Sequence, residues 1–362
     1  MTAPTPRPGI MDITPYVGGE SKLPGITRVI KLASNEGALG PSPKAAEAYA
    51  AVASELHRYP DGGCMDLRKA LAATHGVKME NIVCGAGSDE LISLLVKAYA
   101  GVGDEVLYSH HGFLMYPIAA KGVGATPVTA PESDLTTDVD ALLSKVTENT
   151  RIVFVANPNN PTGTYVSTDE MKRLRDNLRD DILLVIDAAY AEYITLNDYT
   201  AGIDLVESTD NTVMLRTFSK IYGLGCARLG WGYCPENVAD VLNRARNPFN
   251  VSAPAQAAGV AALGDQAFLD ASRAHNDVWL PWLSEKVAAL GLEVPPSVGN
   301  FILARFPASS NRTAEAADAF LRGRGIIVRR MVPYALPDAL RITIGAEDEN
   351  KAVVEALTEF MG

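Results

Sequence analysis

A single lysine, Lys220, and a single arginine, Arg228, stand in the stretch TFSKIYGLGCARLG, whose other residues are mainly small or apolar. Isolated lysines usually point to water, and an unpaired ammonium is costly to bury. A buried lysine loses part of its basicity, however, and its neutral amine can then attack a carbonyl carbon or move a proton. The stretch therefore raises the hypothesis of a lysine nucleophile close to an anion-binding arginine.

Polar side chains also stand at the ends of three apolar segments that fit buried strands. RIVFVAN ends at Asn157, DILLVID ends at Asp187, and TVMLRT leads into Ser219 and Lys220. Each could be ordinary loop chemistry, since Asn157 opens a turn and Asp187 could cap the segment that follows. If the strands are parallel, these residues gather at one edge of the sheet, which is where open α/β sheets bind ligands.

The joint pattern matches the requirements of one cofactor, pyridoxal 5'-phosphate. Its aldehyde needs a lysine for a Schiff base, and its pyridine nitrogen needs a carboxylate that keeps it protonated. Lys220 and Asp187 are the candidates for these roles. The phenolic oxygen needs hydrogen-bond donors, which Asn157 and Tyr190 offer. We interpret Lys220, Asp187 and Tyr190 as catalytic, and Asn157 as a contact to both cofactor and substrate.

The phosphate and the ring of this cofactor need further partners. Phosphates bind backbone N–H groups at helix N-termini, hydroxyl groups and arginines, and a pyridine ring packs against an aromatic side chain. GAGS is either a simple tight turn or such a phosphate site before a helix. The candidates are Ala86, Gly87, Ser88, Ser219 and Arg228 for the phosphate, and Phe113 for the ring.

These residues need a scaffold of alternating strands and helices. Helical spacing occurs in PKAAEAYAAVASELH, MDLRKALAATHG and SDELISLLVKAYA, the last with Ser88 as its N-cap. Short apolar and β-branched runs fit strands buried on both faces: NIVCG, DEVLYS, ATPVTA, RIVFVAN, DILLVID and TVMLRT. The alternation predicts an α/β fold with a mostly parallel central sheet flanked by helices. CARLGWGYC is a candidate for one further strand.

The pattern changes after Pro248, where a mainly helical region, 252–290, is followed by the short strand segments NFILARF, GIIVRR and ALRITIG and by a last helix. We predict an N-terminal arm at 1–39 that packs with the small domain. A large cofactor-binding domain is expected at 40–247, and a smaller α+β domain at 248–362.

Composition excludes several classes of function. The net charge of −11 argues against a nucleic-acid reader, although a locally basic pocket could still bind anionic ligands. The four cysteines form no CxxC pair, and the adjacent His110 and His111 would point to opposite faces of a strand, so no metal site is expected. Because neither a signal peptide nor a long apolar run occurs, we expect a cytoplasmic protein with reduced thiols and no membrane contact.

The motifs ANPNNPTG, IDAAYAEY and SKIYGLGCARLGWGY resemble those of fold-type I pyridoxal-phosphate aminotransferases. With KLASNEGALGPSP, HRYPDGG, GAGSDELI, GFLMYP and LRITIG, the chain resembles the histidinol-phosphate aminotransferase family from about residue 10 to residue 345. The resemblance implies a fold-type I transferase with a Lys220 Schiff base. It implies transamination of L-histidinol phosphate with 2-oxoglutarate, which gives imidazole acetol phosphate and L-glutamate.

The same resemblance implies a homodimer with active sites at the subunit interface. Tyr59 of the RYP motif would reach the cofactor phosphate of the other subunit, and Tyr16 would line the substrate pocket. Arg329 and Arg341 would bind substrate anions. The choice of Arg329 over the adjacent Arg330 depends on strand alternation.

The substrate is less constrained than the cofactor. Gly37 and Ala38 replace the Asn-Pro pair that the family often has, and Phe113 stands where some relatives have tyrosine. An arginine binds phosphate and carboxylate alike. The alternatives are therefore an aromatic amino-acid aminotransferase and a pyridoxal-phosphate-dependent threonine-phosphate decarboxylase. A regulator is disfavoured by the short arm and by Lys220, and a dehydrogenase by the lack of GxGxxG spacing.

Overall fold

Strands and helices alternate through most of the chain. The computed structural model describes residues 4–307 and 311–362, so 1–3 of the predicted arm and 308–310 of the predicted small domain lie outside the described residues. The helices are α1 Pro43–Ala51, α2 Met65–His75, α3 Ser88–Tyr99, α4 Met115–Val123, α5 Val139–Ser144, α6 Thr168–Asn177, α7 Ile203–Ser208, α8 Glu236–Ala245, α9 Ala253–Leu263, α10 Gln266–Ala288, α11 Ala314–Gly323 and α12 Glu347–Met361. The strands are β1 Ile30–Lys31, β2 Ile82–Gly85, β3 Glu105–Ser109, β4 Thr126–Ala130, β5 Glu132–Ser133, β6 Thr136–Thr137, β7 Thr150–Ala156, β8 Leu183–Asp187, β9 Thr212–Thr217, β10 Gly230–Tyr233, β11 Phe301–Arg305, β12 Ile326–Ile327, β13 Arg329–Met331 and β14 Leu336–Thr343.

The central sheet has seven strands in the order β2-β10-β9-β8-β7-β3-β4. Only β10 runs antiparallel to its neighbours, and this is the strand expected from CARLGWGYC. Apolar side chains of the inner strands are buried on both faces, beneath helices that cover each side of the sheet. Such double burial requires the near-continuous apolar runs read from the sequence. The predicted α/β fold with a mostly parallel sheet is confirmed.

A second layered unit forms from the C-terminal part of the chain. Strands β11, β14 and β13 make an antiparallel sheet that shares a core with α10, α11 and α12. The short strand β1 pairs in parallel with β12, with Ile30 opposite Ile326. Helix α9 follows Pro248 in sequence but packs against α1 and α2. The domain limits themselves remain a prediction.

Two local expectations differ from the structure. Helix α3 has Gly87, and not Ser88, as its N-cap, because the backbone there has a φ of 87° that favours glycine. The helix predicted at 43–57 is α-helical only to Ala51 and continues as a 3₁₀ turn. Across the described ranges, no helix combines the length and apolarity needed to span a bilayer.

Candidate active site

A cavity of about 180 Å³ lies where β7, β8 and β9 end, at their carboxyl edge. Parallel strands place their last residues at one rim of the sheet. Polar groups from segments that are distant in sequence therefore lie close together there. Ten of the predicted site residues line the cavity: Tyr16, Ser88, Phe113, Asp187, Tyr190, Ser219, Lys220, Arg228, Arg329 and Arg341.

Lys220 follows β9 and extends its amine into this cavity. Its Nζ donates a hydrogen bond of 3.1 Å to the Ser34 carbonyl and lies 5.6 Å from the centroid of the Tyr190 ring. Loss of solvent and the nearby cation of Arg341 lower the pKa of Lys220 to about 8. An amine of this basicity is available as a nucleophile and as a proton carrier near neutral pH.

Asp187 is the last residue of β8 and is buried. Its Oδ2 accepts a hydrogen bond of 2.9 Å from the Tyr116 hydroxyl. Burial raises the pKa of Asp187 to about 6, against the opposing effects of Tyr116 and of the Ala189 backbone N–H. Its Oδ1 has no partner of hydrogen-bond geometry among the described residues. A buried carboxylate oxygen beside a cavity fits an N–H donor from a ligand.

Tyr190 stands three residues beyond Asp187 and is also buried. Its hydroxyl oxygen accepts a hydrogen bond of 2.8 Å from the Asn35 side-chain amide. Because the amide supplies the proton of that bond, the Tyr190 hydroxyl keeps its own proton to donate into the cavity. Burial raises the pKa of Tyr190, so the donor remains protonated.

A candidate anion site lies where α3 begins. Arg228 lies 3.0 Å from the Asp89 carboxylate and 3.5 Å from the Ser219 hydroxyl. A Cβ on Gly87 would lie 2.5 Å from Arg228 Nη2, and one on Gly230 would lie 2.4 Å from the Ser88 backbone nitrogen. These two glycines therefore allow the helix end, the arginine and the hydroxyl to converge, as phosphate sites require.

Ala86 and Gly87, which the sequence suggested as phosphate contacts, use their backbone N–H groups within the turn. The Ala86 backbone N–H donates 2.6 Å to the Glu90 carboxylate, and the Gly87 N–H donates 2.8 Å to the Gly85 carbonyl. Neither Ala86 nor Gly87 lines the cavity. They contribute to the shape of the turn, whereas Ser88 and Asp89, the first residues of α3, line the cavity.

Within the NPNNP turn, Asn160 lines the cavity and Asn157 does not. The side chain of Asn157 is buried, and it both donates to and accepts from the Val166 backbone, at 3.0 and 2.8 Å. The Asn157 amide is thus engaged with the Val166 backbone, and Asn157 does not line the cavity. Asn160 does, and its Oδ1 accepts a hydrogen bond from Arg341. By its position, Asn160 is the better candidate for the ligand contact that the sequence suggested for Asn157.

Two arginines stand at the end of the cavity formed by the C-terminal sheet. Arg341 is buried and donates 2.8 Å to the Ala33 carbonyl, while its Nε has no partner among the described residues. Arg329 lies opposite Arg341 in the pairing of β13 and β14, and donates 2.6 Å to the Val17 carbonyl. Its guanidinium lies 5.9 Å from the Tyr16 ring centroid. Arg330 pairs instead with Glu315, away from the cavity.

Comparison with known proteins bears on this arrangement. The family model for aminotransferases of class I and II matches residues 27–357. The chain belongs to this family. It is 66% identical to the histidinol-phosphate aminotransferase of Paramagnetospirillum magneticum, with 100% of both chains covered. It is 62% identical to that of Rhodospirillum rubrum, with 99% of this chain and 97% of the relative covered.

A solved structure of the same kind superposes closely. The histidinol-phosphate aminotransferase of Sinorhizobium meliloti, in complex with pyridoxal-5'-phosphate, has a TM-score of 0.89 at 29% identity. The match covers 97% of this aminotransferase and 96% of that chain. The predicted resemblance and the fold-type I architecture are confirmed.

Tyr59 lies apart from the cavity of its own chain. Its side chain is 83% exposed and stacks on Phe249, with ring centroids 4.8 Å apart. An exposed aromatic pair of this kind is available to a second molecule. The cross-subunit role of Tyr59 therefore remains a prediction.

Sequence reasoning missed two asparagines that line the cavity, Asn35 and Asn160, and the buried Tyr116, which contacts Asp187. Tyr116, Asn35 and Asn160 support Asp187, Tyr190 and Arg341 respectively. Tyr116 and Asn35 lie in the motifs GFLMYP and ASNE, but nothing in a motif says which side chain turns inward. For Asn160, the signal was its position one residue before the second proline of NPNNP, at the far end of the turn.

Across the described residues, no three His, Cys, Asp or Glu side chains gather as a metal site would require.

Proposed function

We propose that the protein transfers the amino group of L-histidinol phosphate to 2-oxoglutarate with pyridoxal 5'-phosphate as cofactor. The products are imidazole acetol phosphate and L-glutamate. The observation that carries the proposal is the cavity itself, which joins Lys220 and Asp187 to an anion site at α3 on one side and to Arg329 and Arg341 on the other. The names of curated relatives at 52% identity and above support the same substrate.

The residues present fit the cofactor on three counts. Asp187 Oδ1 is buried without a partner among the described residues, as expected of an acceptor for the ring N–H. The glycines beside Ser88 and Arg228 leave room for a phosphate at the start of α3. Phe113 lines the cavity and offers a ring for stacking. When bound, pyridoxal phosphate supplies an aldehyde that condenses with amines and a ring that withdraws electrons.

Lys220 moves the proton in this proposal. The amine takes a proton from the substrate Cα and returns one, acting first as base and then as acid. Its lowered pKa, about 8, makes both forms accessible near neutral pH. Asp187, with a pKa of about 6, is ionised at neutral pH and can hold a ring proton. Tyr190 and Asn160 provide polar groups that orient the reactants.

The two substrates share one anion site. Histidinol phosphate has a phosphate, and glutamate has carboxylates in its place. Arg329 and Arg341 lie on paired strands and can bind either group through their planar N–H donors. Tyr16 lies beside Arg329 and closes the pocket from the N-terminal arm.

The proposal includes a second copy of the chain. Tyr59, exposed on its own subunit, would reach the phosphate bound by the partner, as the family resemblance implies. We infer a cytoplasmic location from the proposed biosynthetic role, and the four free cysteines support this inference.

The test is a single-turnover experiment. The purified protein is loaded with pyridoxal phosphate and mixed with histidinol phosphate, or with phenylalanine, in the absence of a keto acid. Fast loss of the visible cofactor band with histidinol phosphate and slow loss with phenylalanine is the expected result. The reverse order would make the protein an aromatic amino-acid aminotransferase. Release of CO₂ from threonine phosphate would indicate the decarboxylase.

A further inference from the structure

The turn that brings Phe113 into the cavity is held by one buried carboxylate, Glu132. Strand β3 ends at Ser109, and the chain then turns through 110–112. The Glu132 side chain, 4% exposed, accepts a hydrogen bond from the Ser109 hydroxyl. It also accepts from the His111 backbone N–H at 3.0 Å and from His111 Nδ1 at 2.7 Å. One side chain therefore fixes both ends of the turn.

The turn has little room to adjust. A Cβ on Gly112 would lie 2.8 Å from the Tyr108 ring and 2.9 Å from the Ser109 carbonyl oxygen. Phe113 follows immediately, and its ring packs edge-on against Tyr116 with centroids 5.9 Å apart. Where the Phe113 ring stands therefore depends on how the preceding turn is held.

The same turn contacts a second loop of the cavity. The His111 carbonyl accepts a hydrogen bond of 3.4 Å from the Asn159 side chain, which also donates 3.0 Å to Thr162. Asn159 lies between Pro158 and Asn160, and both of these line the cavity. Movement of His111 would therefore displace both Phe113 and the 158–160 loop, on two sides of the cavity.

Glu132 is suited to this task as an anion. Burial alone would raise the pKa of Glu132, but hydrogen bonds from His111 and Ser109 outweigh burial and hold it below the ordinary value. Hydrogen bonds to an ionised acceptor are roughly twice as strong as neutral ones. Glu132 does not line the cavity, so it can act on a ligand only through the residues it holds.

We propose that Glu132 is a positioning residue, which sets the orientation of the cofactor ring by clamping the Ser109–His111 turn and so fixing Phe113. The inference rests on the proposed function, because the ring in question is that of pyridoxal phosphate. The contact from His111 to Asn159 gives the clamp a second, weaker route to the site.

The experiment compares Glu132→Ala with Asp265→Ala, each reconstituted with pyridoxal phosphate. Asp265 is a matched control, since it is also buried and accepts from Ser42 at 2.6 Å and Lys44 at 2.9 Å but does not line the cavity. The readouts are the visible circular dichroism per bound cofactor, which reports ring orientation, together with kcat and Tm.

Both alanine variants should lose thermal stability. Only Glu132→Ala should lose visible circular dichroism, with kcat falling on the order of tenfold to a hundredfold, as a misplaced reacting group would cause. The loss caused by Glu132→Ala should be smaller when Phe113 is already leucine. Wild-type circular dichroism and kcat in Glu132→Ala would overturn the inference, as would an undiminished effect in the Phe113→Leu background.

Glu132→Asp covers the case in which the alanine variant does not fold. It keeps the charge but is too short to reach both ends of the turn, so an intermediate loss of circular dichroism is expected, and an unchanged spectrum counts against the clamp. Failure of the wild-type protein to develop a visible band with pyridoxal phosphate is a different result. It would refute the proposed function before any variant was compared.

Discussion

The Tyr116 hydroxyl lies 2.9 Å from Asp187 Oδ2 and donates to it, in a part of the structure where both side chains are buried. Burial raises the pKa of Asp187 and this bond lowers it, and the net result is a pKa of about 6. The balance between the two effects determines the pH at which the carboxylate becomes available to the cofactor.

Tyr116→Phe should therefore move the acid limb of the activity profile to higher pH. Without the hydroxyl, Oδ2 loses the hydrogen bond that lowers the pKa of Asp187, so the pKa rises. Asp187 is then protonated at a higher pH as the pH falls. The measurement is kcat/KM from pH 5 to 9. The Tyr116 ring, which stacks on Phe154 at 4.4 Å, is kept by the substitution. An acid limb at the wild-type pH would contradict the assignment.

Asp187→Asn should stabilise the cofactor-free protein at alkaline pH while impairing cofactor retention. The pKa of Asp187 is raised from 3.8 to about 6 on folding, so the folded state binds this proton more tightly. Its contribution to stability is therefore unfavourable above pH 6 and recovers as pH falls towards 3.8. The difference in unfolding free energy should be on the order of 3 kcal/mol at pH 8 and vanish near pH 4. Urea unfolding of both proteins at pH 8 and pH 4 measures this difference. If the variant and the wild type differed by the same amount at both pH values, the proposed coupling between Asp187 ionisation and stability would be refuted.

Lys220 and Asp187 were predictable because strand ends are fixed by the apolar pattern that precedes them. Asp187 ends one uninterrupted buried strand and Lys220 stands three residues after another, so their place on the rim follows from the sheet. Asn157 was placed correctly on the same rim, yet its amide turns to Val166. Side-chain direction within a turn depends on hydrogen bonds to residues far along the chain, and no local pattern contains that information.

The arginines illustrate the same limit. Strand alternation separated Arg329 from Arg330, since Arg329 lines the cavity and Arg330 pairs with Glu315. The irregularity in the pairing of β13 falls only after Arg330. By contrast, Ala86 was chosen from the GAGS pattern alone, and its N–H is taken by Glu90, four residues later. The GAGS composition indicates a phosphate-binding loop. Which backbone N–H groups of the loop are free to bind the phosphate depends on the conformation of the turn.

Gly230→Ala should weaken cofactor binding and stability together. Its Cβ would lie 2.4 Å from the Ser88 backbone nitrogen, so the start of α3 must shift away from the strand. Overpacking of this kind typically costs about 1–3 kcal/mol. Gly122→Ala is the matched control, since it lies within α4 with nothing within 4 Å of the added Cβ. Titration with pyridoxal phosphate and thermal unfolding measure the effects. If Gly230→Ala and Gly122→Ala had the same cofactor affinity and the same Tm, the predicted clash with Ser88 would be wrong.

Alanine substitutions at Asn160 and Asn157 should have opposite consequences. Asn160 lines the cavity, so Asn160→Ala should reduce kcat about tenfold or more with little loss of Tm. Asn157 makes two buried hydrogen bonds to Val166, so Asn157→Ala should cost about 1–3 kcal/mol of stability. Kinetics and thermal unfolding of both variants separate these roles. If Asn157→Ala alone lost activity at an unchanged Tm, the sequence-based choice would be restored.

Mixing two impaired variants, Lys220→Ala and Tyr59→Phe, tests the role of Tyr59 across the subunit interface. Lys220→Ala should abolish turnover, and Tyr59→Phe should weaken cofactor retention through loss of a phosphate contact. In a mixed dimer, one cavity combines the Lys220 of one chain with the Tyr59 of the other, so that site is intact. Because Tyr59 is 83% exposed and does not line its own cavity, we expect co-refolding to restore tight cofactor binding and activity at one site per dimer. If the mixtures showed no more cofactor binding or activity than the separate variants, Tyr59 would act within its own subunit.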